Sequence, residues 1–548
     1  MLPAHLTAAG RHTAPAPLFR KEPYPVPTPS FTSSRPRRAR RFAAGALAAV
    51  ALPLSACGGD SVTSGSSDID PAAVVPAAAA AYAELTVRPE GDLKTNVESL
   101  AQKIARTDDP GGQIVKLLDD ELKEDNASFK DDIDPWLGDK VAVAITGVRN
   151  GEPDYALLFA ATDTDKALAA LKKGETGLVE RTYKDVKYTF NADEQQAAAG
   201  IKDTLVVATE TSLKQVIDVE KGADSLADSD KLEKARDSVE SDRLAFFYVN
   251  PAAAIDLAAA ASPLIGAQAG QFKALLGGDK VSAIGGALIA TADAIRVQLA
   301  VDGQTGKGGA ADAAQTVASL PAGSLAAAGF GDVGSRARDT VTQLGRLGGP
   351  FSTIISQFTT ITGLDLQRDV LAWMGKGGAF LRAKGVADIG GALVVDTTDE
   401  AKTATFIQTI RRLVTQFGAN QGLRVTDFNG QGATGVQIAT AELPFPIIVA
   451  SGGGKFVVAA GGTAVQEALK PTATLSGDAQ FKAIASKLGA KPALYVDFKA
   501  LLGFADLAVG SDPEYAKVKQ YLQAFTGLAA GGDESGGTTR SNLVIGVK

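Results

Sequence analysis

Apolar residues recur at intervals of three and four in two places in each half of the chain. These stretches are 93–104 and 114–122 in the first half, and 341–347 and 354–358 in the second. This spacing places the apolar side chains on one face of a helix. The pattern therefore predicts two amphipathic helices near the start of each half.

Runs of β-branched or continuously apolar residues follow the predicted helices and are typical of strands. The predicted strands are 141–147, 155–161 and 391–395, with hairpins over Leu178–Phe190 and Arg424–Ile438 and closing strands over Ile295–Val301 and Leu543–Val547. Strands come in pairs as well as alternating with helices. We expect an α+β fold with a largely antiparallel sheet and helices packed on one face.

The two halves of the body resemble each other in five matches that keep their order along the chain. They pair Pro76 with Pro321, Trp136 with Trp373, Lys166 with Lys402, Leu205 with Phe456, and Tyr248 with Tyr495. We interpret this as two tandem homologous α+β units, 73–303 and 316–548, each with its own largely antiparallel sheet and helices packed on one face. The Gly-rich stretch between them predicts a linker over 304–315.

The spacing of the matches locates length differences between the units. Pro76 and Trp136 are 60 positions apart and their counterparts 52, so the first unit is 8 residues longer there. Lys402 and Phe456 are 54 positions apart and their counterparts 39, so the second unit is 15 residues longer, with the insertion placed near 440–444. Since closing a longer loop costs little free energy, we expect surface loops or extended hairpins.

A basic and apolar stretch precedes the first unit. Five arginines within residues 35–41 are followed by an uncharged apolar run over 42–54 and by small residues before Cys57. Such a basic region, short apolar region and small-residue cleavage site predict a secretory signal. The apolar run is too short for a permanent transmembrane helix.

Leu54-Ser55-Ala56-Cys57 resembles the lipobox of bacterial lipoproteins. The resemblance implies that residues 1–56 are a signal peptide, with a long Pro/Arg-rich start. It also implies that Cys57 becomes residue one and carries acyl chains such as palmitate. Two or three chains give stable membrane anchoring. Residues 57–72, rich in Gly, Ser and Asp at their start, then predict a flexible tether. The alternative is an ordinary signal peptide with an accidental cysteine.

Composition narrows the chemistry available to the mature chain. Both histidines precede Cys57, and Cys57 is the one cysteine. The mature chain therefore has no Ser-His-Asp or Cys-His system and no histidine-ligated metal. Residues 1–56 hold 8 of the 55 basic and 1 of the 62 acidic side chains, leaving 47 basic, 61 acidic and a net charge of −14. Nucleic acid is excluded as a partner, since phosphate binding needs a basic face.

The body also resembles a bacterial family known as domain of unknown function 3352. The stretches that carry the resemblance are WLGDKVAVAI from Trp136, DTTDEAKTATF from Asp396 and LYVDF from Leu494. The family implies a large extracytoplasmic α+β body. It has no established activity, so no functional residue transfers except the lipobox Cys57.

Three local motifs have a structural explanation that we favour. Gly430–Gly435 fits G-x-G-x-x-G but is followed by a predicted strand rather than a helix, so a hairpin turn is expected. Trp136 and Trp373, before a strand in each unit, are expected to be core residues. The acidic residues lack calcium-loop spacing, and we expect a solvated helix face; they are Asp119, Asp120, Glu121, Glu124, Asp125, Asp131, Asp132 and Asp134.

Three classes of function remain open. The first is a non-catalytic lipoprotein of the cell envelope that binds a protein or cell-wall partner. The second is a carrier of a lipid or other apolar ligand in a cavity between sheet and helices, suggested by the small residues of 252–261 and 284–292. The third is a carboxylate-dependent hydrolase. We rank them in that order and expect no enzyme activity, no cofactor and no metal.

The anchor is directly testable through its thiol. Cys57→Ser removes the sulfur that a thioether-linked lipid requires, so we expect complete loss of metabolic lipid labelling and an uncleaved or mis-sorted chain. Labelling with an alkyne fatty acid measures this. Label that persists in the variant would rule out Cys57 as the attachment residue.

Overall fold

The computed structural model describes residues 69–548 with short gaps. The gaps are 124–126, 174–176, 263–265, 268, 271–272, 274–280, 304–308, 348–349, 384, 386–387, 419–421 and 536. Among the described helices, none is both long and apolar enough to cross a membrane. Residues 1–68, which hold the predicted signal, Cys57 and most of the predicted tether, lie outside the described residues.

The protein is a mixture of helices and strands, with twenty strands numbered in chain order. The strands are β1 Ala81–Thr86, β2 Leu137–Arg149, β3 Glu152–Ala161, β4 Leu178–Tyr183, β5 Val186–Asn191, β6 Gln196–Ile201, β7 Thr204–Thr209, β8 Ala245–Val249, β9 Ile284–Thr291, β10 Ala294–Asp302, β11 Ala326–Asp332, β12 Met374–Ala383, β13 Ile389–Thr397, β14 Arg424–Gly430, β15 Ala433–Ala439, β16 Ile447–Gly452, β17 Lys455–Ala460, β18 Lys491–Asp497, β19 Phe525–Ser535 and β20 Thr538–Val547.

Fourteen α-helices are described along the same chain. They are α1 Gly91–Ala105, α2 Pro110–Leu122, α3 Thr164–Lys172, α4 Glu210–Glu220, α5 Asp230–Asp237, α6 Pro251–Ala261, α7 Ala310–Ser319, α8 Val333–Leu347, α9 Pro350–Thr362, α10 Glu400–Gly418, α11 Gly462–Leu469, α12 Ala479–Ala485, α13 Phe498–Val509 and α14 Pro513–Leu522. Short π-helical turns, Phe129–Ile133 and Leu366–Val370, precede the two tryptophans.

All twenty strands form one continuous antiparallel sheet. From one edge to the other, the hydrogen-bonded order is β4-β5-β6-β7-β3-β2-β1-β8-β9-β10-β20-β19-β18-β11-β12-β13-β17-β16-β15-β14. We expected a separate sheet in each unit; instead one sheet runs through both. The reason is that the closing strands β10 and β20, each left with a free side in its own half, pair with each other.

The strand order reads the same outward from the central pair in both directions. The order β10, β9, β8, β1, β2, β3, β7, β6, β5, β4 on one side matches β20, β19, β18, β11, β12, β13, β17, β16, β15, β14 on the other. Each strand of the first half therefore has a counterpart ten strands later. The predicted hairpins are present as β4–β5 and β14–β15.

The tryptophans make matching contacts in the two halves. The indole Nε1 of Trp136 donates to the carbonyl of Asp132 at 2.6 Å, and that of Trp373 donates to the carbonyl of Asp369 at 3.0 Å. The carbonyl of each tryptophan accepts from the backbone N–H of a threonine, Thr162 or Thr398, at 2.8 and 2.9 Å. Both tryptophans are buried.

Helices pack on both faces of the sheet, which corrects the expectation of one covered face. Successive side chains of a strand point to opposite faces. Tyr82 of β1 belongs to the buried cluster that includes Leu213 of α4, whereas Leu85 of the same strand belongs to another cluster, with Leu93 and Val97 of α1. We call the side of Tyr82 the covered face and the side of Leu85 the open face.

The segments between elements also differ from expectation. The predicted linker over 304–315 overlaps α7, which begins at Ala310, because the alanine-rich stretch there favours a helix. The predicted tether over 57–72 overlaps a short helix, Pro71–Val74, which Asp70 caps.

The two predicted length differences lie in different kinds of structure, one in loops and the other mainly in a helix. The extra residues of the first half lie mainly in the connections around α1 and α2, as expected of surface loops. Those of the second half lie mainly in α10, which has 19 residues against 9 in α3. The connection over 440–446 takes up only part of the difference. A helix absorbed the insertion because Phe406, Ile407 and Ile410 give it an apolar side to bury.

The β10–β20 pair is in register over nine residues, from Ala294 opposite Gly546 to Asp302 opposite Thr538. Near its centre, Gln298 and Asn542 lie directly opposite each other and are buried. Gln298 accepts from the backbone N–H of Glu240 at 2.8 Å, and Asn542 donates to the carbonyl of Leu488 at 2.9 Å. Each of these side chains therefore links the β10–β20 pair to a loop of its own half. For Gln298 this is the loop after α5, and for Asn542 it is the loop after α12.

Truncation after Ser541 tests whether the β10–β20 pairing holds the two halves together. It removes Leu543–Val547, which are paired with both β10 and β19, and loses several buried apolar side chains at about 1.5–3 kcal/mol each. We expect both halves to be destabilised together, with a melting temperature at least about 10 °C lower or no cooperative transition. A chain ending at Val547 is the control. A truncated chain that melts like this control would show that β20 does not join the halves.

Candidate apolar binding face

A single row of apolar side chains crosses the open face through eleven neighbouring strands. Each residue is the direct pairing partner of the next. From β2 to β13 the row consists of Val141, Leu85, Ala245, Leu288, Val297, Leu543, Ala530, Leu494, Ala328, Ala379 and Leu393. Strands lie about 4.8 Å apart, so ten steps make a row of about 48 Å.

A second apolar row runs beside the first over the central strands. From β10 to β12 it consists of Ile295, Ile545, Leu528, Val496, Ala326 and Leu381. Together the two rows define a surface, here called the apolar face, without a charged or hydrogen-bonding side chain. Its floor is made of aliphatic side chains, many of them small.

The apolar face is buried at its β2 end and open to solvent from β10 to β13. Leu85 and Val141 lie under α1, but Val297, Leu494 and Leu393 are 37–39% exposed, and Leu381 is 45% exposed. On the opposite face the same strands bury Tyr495, Val544 and Phe380. From β10 to β13 the open part spans six strand steps, or about 29 Å.

Backbone groups offer nothing further to a ligand at this floor. Every strand from β2 to β13 in the spatial order has a partner on both sides. Its N–H and C=O groups are therefore used within the sheet, and an extended peptide has no free edge here to pair with. The floor can interact only through apolar contact and shape.

A pocket of about 170 Å³ lies at the first-half end of the apolar face. Its walls come from β1, β2, β8, β9 and β10, and include Ala83, Val143, Phe247, Leu288 and Val297. An engineered apolar cavity of about 150 Å³ takes up one benzene molecule, so the pocket has room for a small apolar group. Leu288 belongs to the stretch 284–292 that the sequence suggested for a cavity.

Equivalent helices are placed differently beside the face. The small-residue stretch 252–261 forms α6, which packs against β2. Its counterpart by position, α13, packs instead against β19, near the centre of the sheet. Strand β2, on which α6 packs, lines the pocket, whereas β19, on which α13 packs, belongs to the open floor. The two halves therefore contribute unequal parts of one site.

The motifs singled out from sequence lie away from this face or within turns. Gln431 and Gly432, both with positive φ, form the turn of the β14–β15 hairpin, as expected. A second glycine-rich stretch, Gly452–Lys455, likewise forms a turn, between β16 and β17. Trp136 and Trp373 are core residues, the latter packed against Phe406 and Phe456.

The acidic residues are dispersed and have local partners. Asp132 binds Lys173 at 2.7 Å, and Asp134 binds Arg88 at 2.6 Å. Asp119 accepts from the backbone N–H of Phe129 at 2.7 Å. Glu124 and Asp125 lie outside the described residues. Within the described ranges, no group of three or more acidic, histidine or cysteine side chains is placed to hold a metal ion.

The most perturbed surface carboxylate is also held in a structural network. Desolvation alone would raise the pKa of Glu210, but hydrogen bonds from Tyr188, Lys214 and Arg181 lower the pKa to about 2. Tyr188 and Arg181 donate to Glu210 at 2.7 and 2.9 Å. A carboxylate that stays ionised and fully bound in this way is not poised for proton transfer at neutral pH.

The apolar face itself was missed by the sequence analysis. Its signal is the alternation in β10, where Val297 and Leu299 are exposed while Gln298 and Ala300 are buried. An apolar residue on the exposed side of a strand cannot be recognised until the pairing is known. The site therefore follows from the topology rather than from a motif.

Comparison with known proteins gives a family but no activity. A family model described as protein of unknown function (DUF3352) matches residues 42–545. The chain belongs to this family. No curated protein matches this DUF3352 member.

Solved structures resemble this DUF3352 protein only remotely. Crystal forms III and I of TP0453 match it with 12% and 11% identity, and each match covers 44% of this chain and 82% of that chain. The TM-score is 0.24 in both cases. A likeness at this level carries no functional argument.

A chelator tests the absence of a structural metal. Because Asp119, Asp132 and Asp134 pair with lysine, arginine or a backbone group, we expect the melting temperature to be unchanged in about 5 mM EDTA. Differential scanning fluorimetry with and without added Ca²⁺ measures this. A clear fall with EDTA that Ca²⁺ reverses would contradict it.

Proposed function

We propose that this protein is a non-catalytic lipoprotein of the cell envelope, anchored outside the cytoplasm through Cys57, that binds the acyl chains of a lipid on its apolar face. The observation that carries the proposal is the row of eleven apolar side chains, which is open to solvent from β10 to β13. From sequence alone, a protein or cell-wall partner ranks first. The geometry favours the carrier.

Acyl chains fit the face better than a polypeptide does. The floor has no hydrogen-bonding group to pair with a peptide backbone, and the adjoining pocket is apolar. The hydrocarbon core of a bilayer is about 30 Å thick, so an acyl chain in one leaflet extends about 15 Å. The open floor of about 29 Å has room for such a chain, and the pocket has room for its end.

The membrane anchor is supported by the pattern before the body. A basic cluster, an apolar run over 42–54 and Leu54-Ser55-Ala56-Cys57 agree with one another as a lipoprotein signal. Anchoring would keep the apolar face beside a source of lipid. The mature net charge of −14 argues against attraction to anionic lipid by the body and against binding of nucleic acid.

The non-catalytic assignment rests on chemistry. The mature chain has no histidine, and its one thiol would be consumed by lipid. On the apolar face there is no side chain able to act as nucleophile, acid or base. A carboxylate-dependent hydrolase would need paired carboxylates in a cleft, and Asp119, Asp132 and Asp134 of the acidic stretch are instead bound to a cation or a backbone group.

We further propose that the body arose by tandem duplication of a ten-strand unit. Support comes from the matching strand order, from the paired tryptophan contacts and from the isolated bridges Pro76–Ser225 and Pro321–Thr474, which occupy corresponding places. Duplication would explain the length of the apolar face. Two units with half a face each, joined at their last strands, give one uninterrupted floor.

Val297→Lys tests lipid binding at the centre of the floor. A lysine there places a charge among aliphatic side chains and weakens binding. We expect the dissociation constant for a fluorescent polyene fatty acid to rise at least ten-fold. Leu393→Lys, further along the row, should act in the same direction. Fluorescence titration of the mature chain measures the affinity, and the melting temperature checks folding.

Val179→Lys is the matched control for this experiment. Val179 is 49% exposed but lies on the outermost strand β4, away from the apolar face. We expect unchanged binding in this variant. Absence of fatty-acid binding by the unmodified protein, or equal losses in all three variants, would reject the proposal. Specific capture of an envelope protein at the face, without lipid, would favour the protein-binding alternative.

A further inference from the structure

Exposed apolar side chains are concentrated in two places in the described residues. Eighteen large apolar side chains are strongly exposed there, and six of them belong to the open face. Six others lie within the 22 residues of α13 and α14 that run from 501 to 522: Leu501, Leu507, Val509, Val518, Tyr521 and Leu522. This helix pair is the second large apolar surface of the protein.

Polar side chains of the helix pair bind each other. Asp506 of α13 accepts from the hydroxyl of Tyr515 and pairs with the ammonium of Lys519 of α14, both at 2.8 Å. These contacts join the two helices. Leu507, 65% exposed, and Val518 face solvent instead. A helix pair in water normally turns its apolar side chains inward, so this arrangement indicates a different neighbour.

The helix pair is continuous with the apolar face. Helix α13 packs against β19, whose Leu528 and Ala530 belong to the two rows of the floor. An acyl chain that moves from the helix pair to the floor would therefore pass onto the apolar side chains of β19, with no polar side chain of these two rows in its path. The helix pair lies beside the part of the floor that is most open.

The start of the described chain limits how far the body can lie from a membrane. Arg236 binds Asp70 through two hydrogen bonds, at 2.8 and 3.0 Å, and so fixes this point to the body. Cys57 is 13 residues earlier, which span at most about 45 Å when fully extended. If Cys57 carries the lipid, as proposed above, the body is held within this distance of the bilayer. A weak apolar contact is then favoured by high effective concentration.

We infer that α13 and α14 lie on the bilayer surface and that acyl chains pass along them to the apolar face. The apolar side chains enter the boundary between headgroups and acyl chains, and the ring of Tyr521 suits that boundary. Residues 498–522 carry three lysines and three acidic residues. Their net charge is zero, so the contact depends on apolar burial and not on anionic lipid.

Site-specific quenching tests this contact in the mature lipoprotein reconstituted into phosphatidylcholine vesicles. With Cys57 acylated, Val518→Cys introduces one free thiol for a small fluorophore. Val179→Cys is the matched control, because Val179 and Val518 are 49% and 48% exposed and Val179 lies on the outermost strand β4. We expect lipids with a nitroxide on the acyl chain to quench the label at 518 at least three-fold more than the label at 179.

The remaining outcomes separate this inference from the lipoprotein proposal. Equal quenching at both positions, or none at 518, overturns the inference while the protein stays with the vesicles. Protein that does not float with the vesicles instead contradicts the anchor. Quenching at 518 that appears only with anionic lipid overturns the apolar mechanism. Concentration-dependent shielding of 518 without lipid quenching would identify a second copy as the occupant and also overturns it.

Discussion

The antiparallel pairing of β10 with β20 is the constraint on which the rest of the structure depends. Both strands come last in their halves, and without each other each would present an unpaired edge. Pairing them removes two edges and creates a single sheet. It also sets the two halves in opposite directions about the centre of the pair, near Gln298 and Asn542. Every larger property of the molecule, including the length of the apolar face, follows from that arrangement.

Local elements could be predicted well from the sequence, since they depend on neighbouring residues. The hairpins β4–β5 and β14–β15, the helix caps at Asp163 and Asp399 and the burial of both tryptophans follow from spacing and turn chemistry. The caps are typical: each aspartate accepts from the backbone N–H of a lysine three residues later, at 3.0 Å. These contacts are determined within a few residues of the chain.

Long-range partners could not be predicted in this way. Nothing in the sequence of β10 indicates whether its second edge is exposed to water or paired with β20. Val297 and Leu299 favour a strand in either case, and strand propensity does not identify the neighbouring strand. The same ambiguity hid the second helical layer. Strand β1 carries a buried apolar side chain on each face, Tyr82 on one and Leu85 on the other, and its sequence does not say which helix covers each of them. The linker prediction failed because glycine content masked the start of α7.

Protection differs between the edges of the sheet and its open face. The outermost strands carry charges. Glu180 of β4 pairs with Lys187 of β5, and Asp427 of β14 pairs with Arg411 of α10. Such charges discourage another strand from joining an edge. The apolar face has no comparable charge along eleven strands. Residues 57–548 have a net charge of −14, and repulsion of this kind opposes the association of exposed apolar surfaces. An exposed apolar floor beside charged edges is typical of an interaction surface, and twelve of the eighteen strongly exposed large apolar side chains in the described residues lie on the open face or on the helix pair adjoining it.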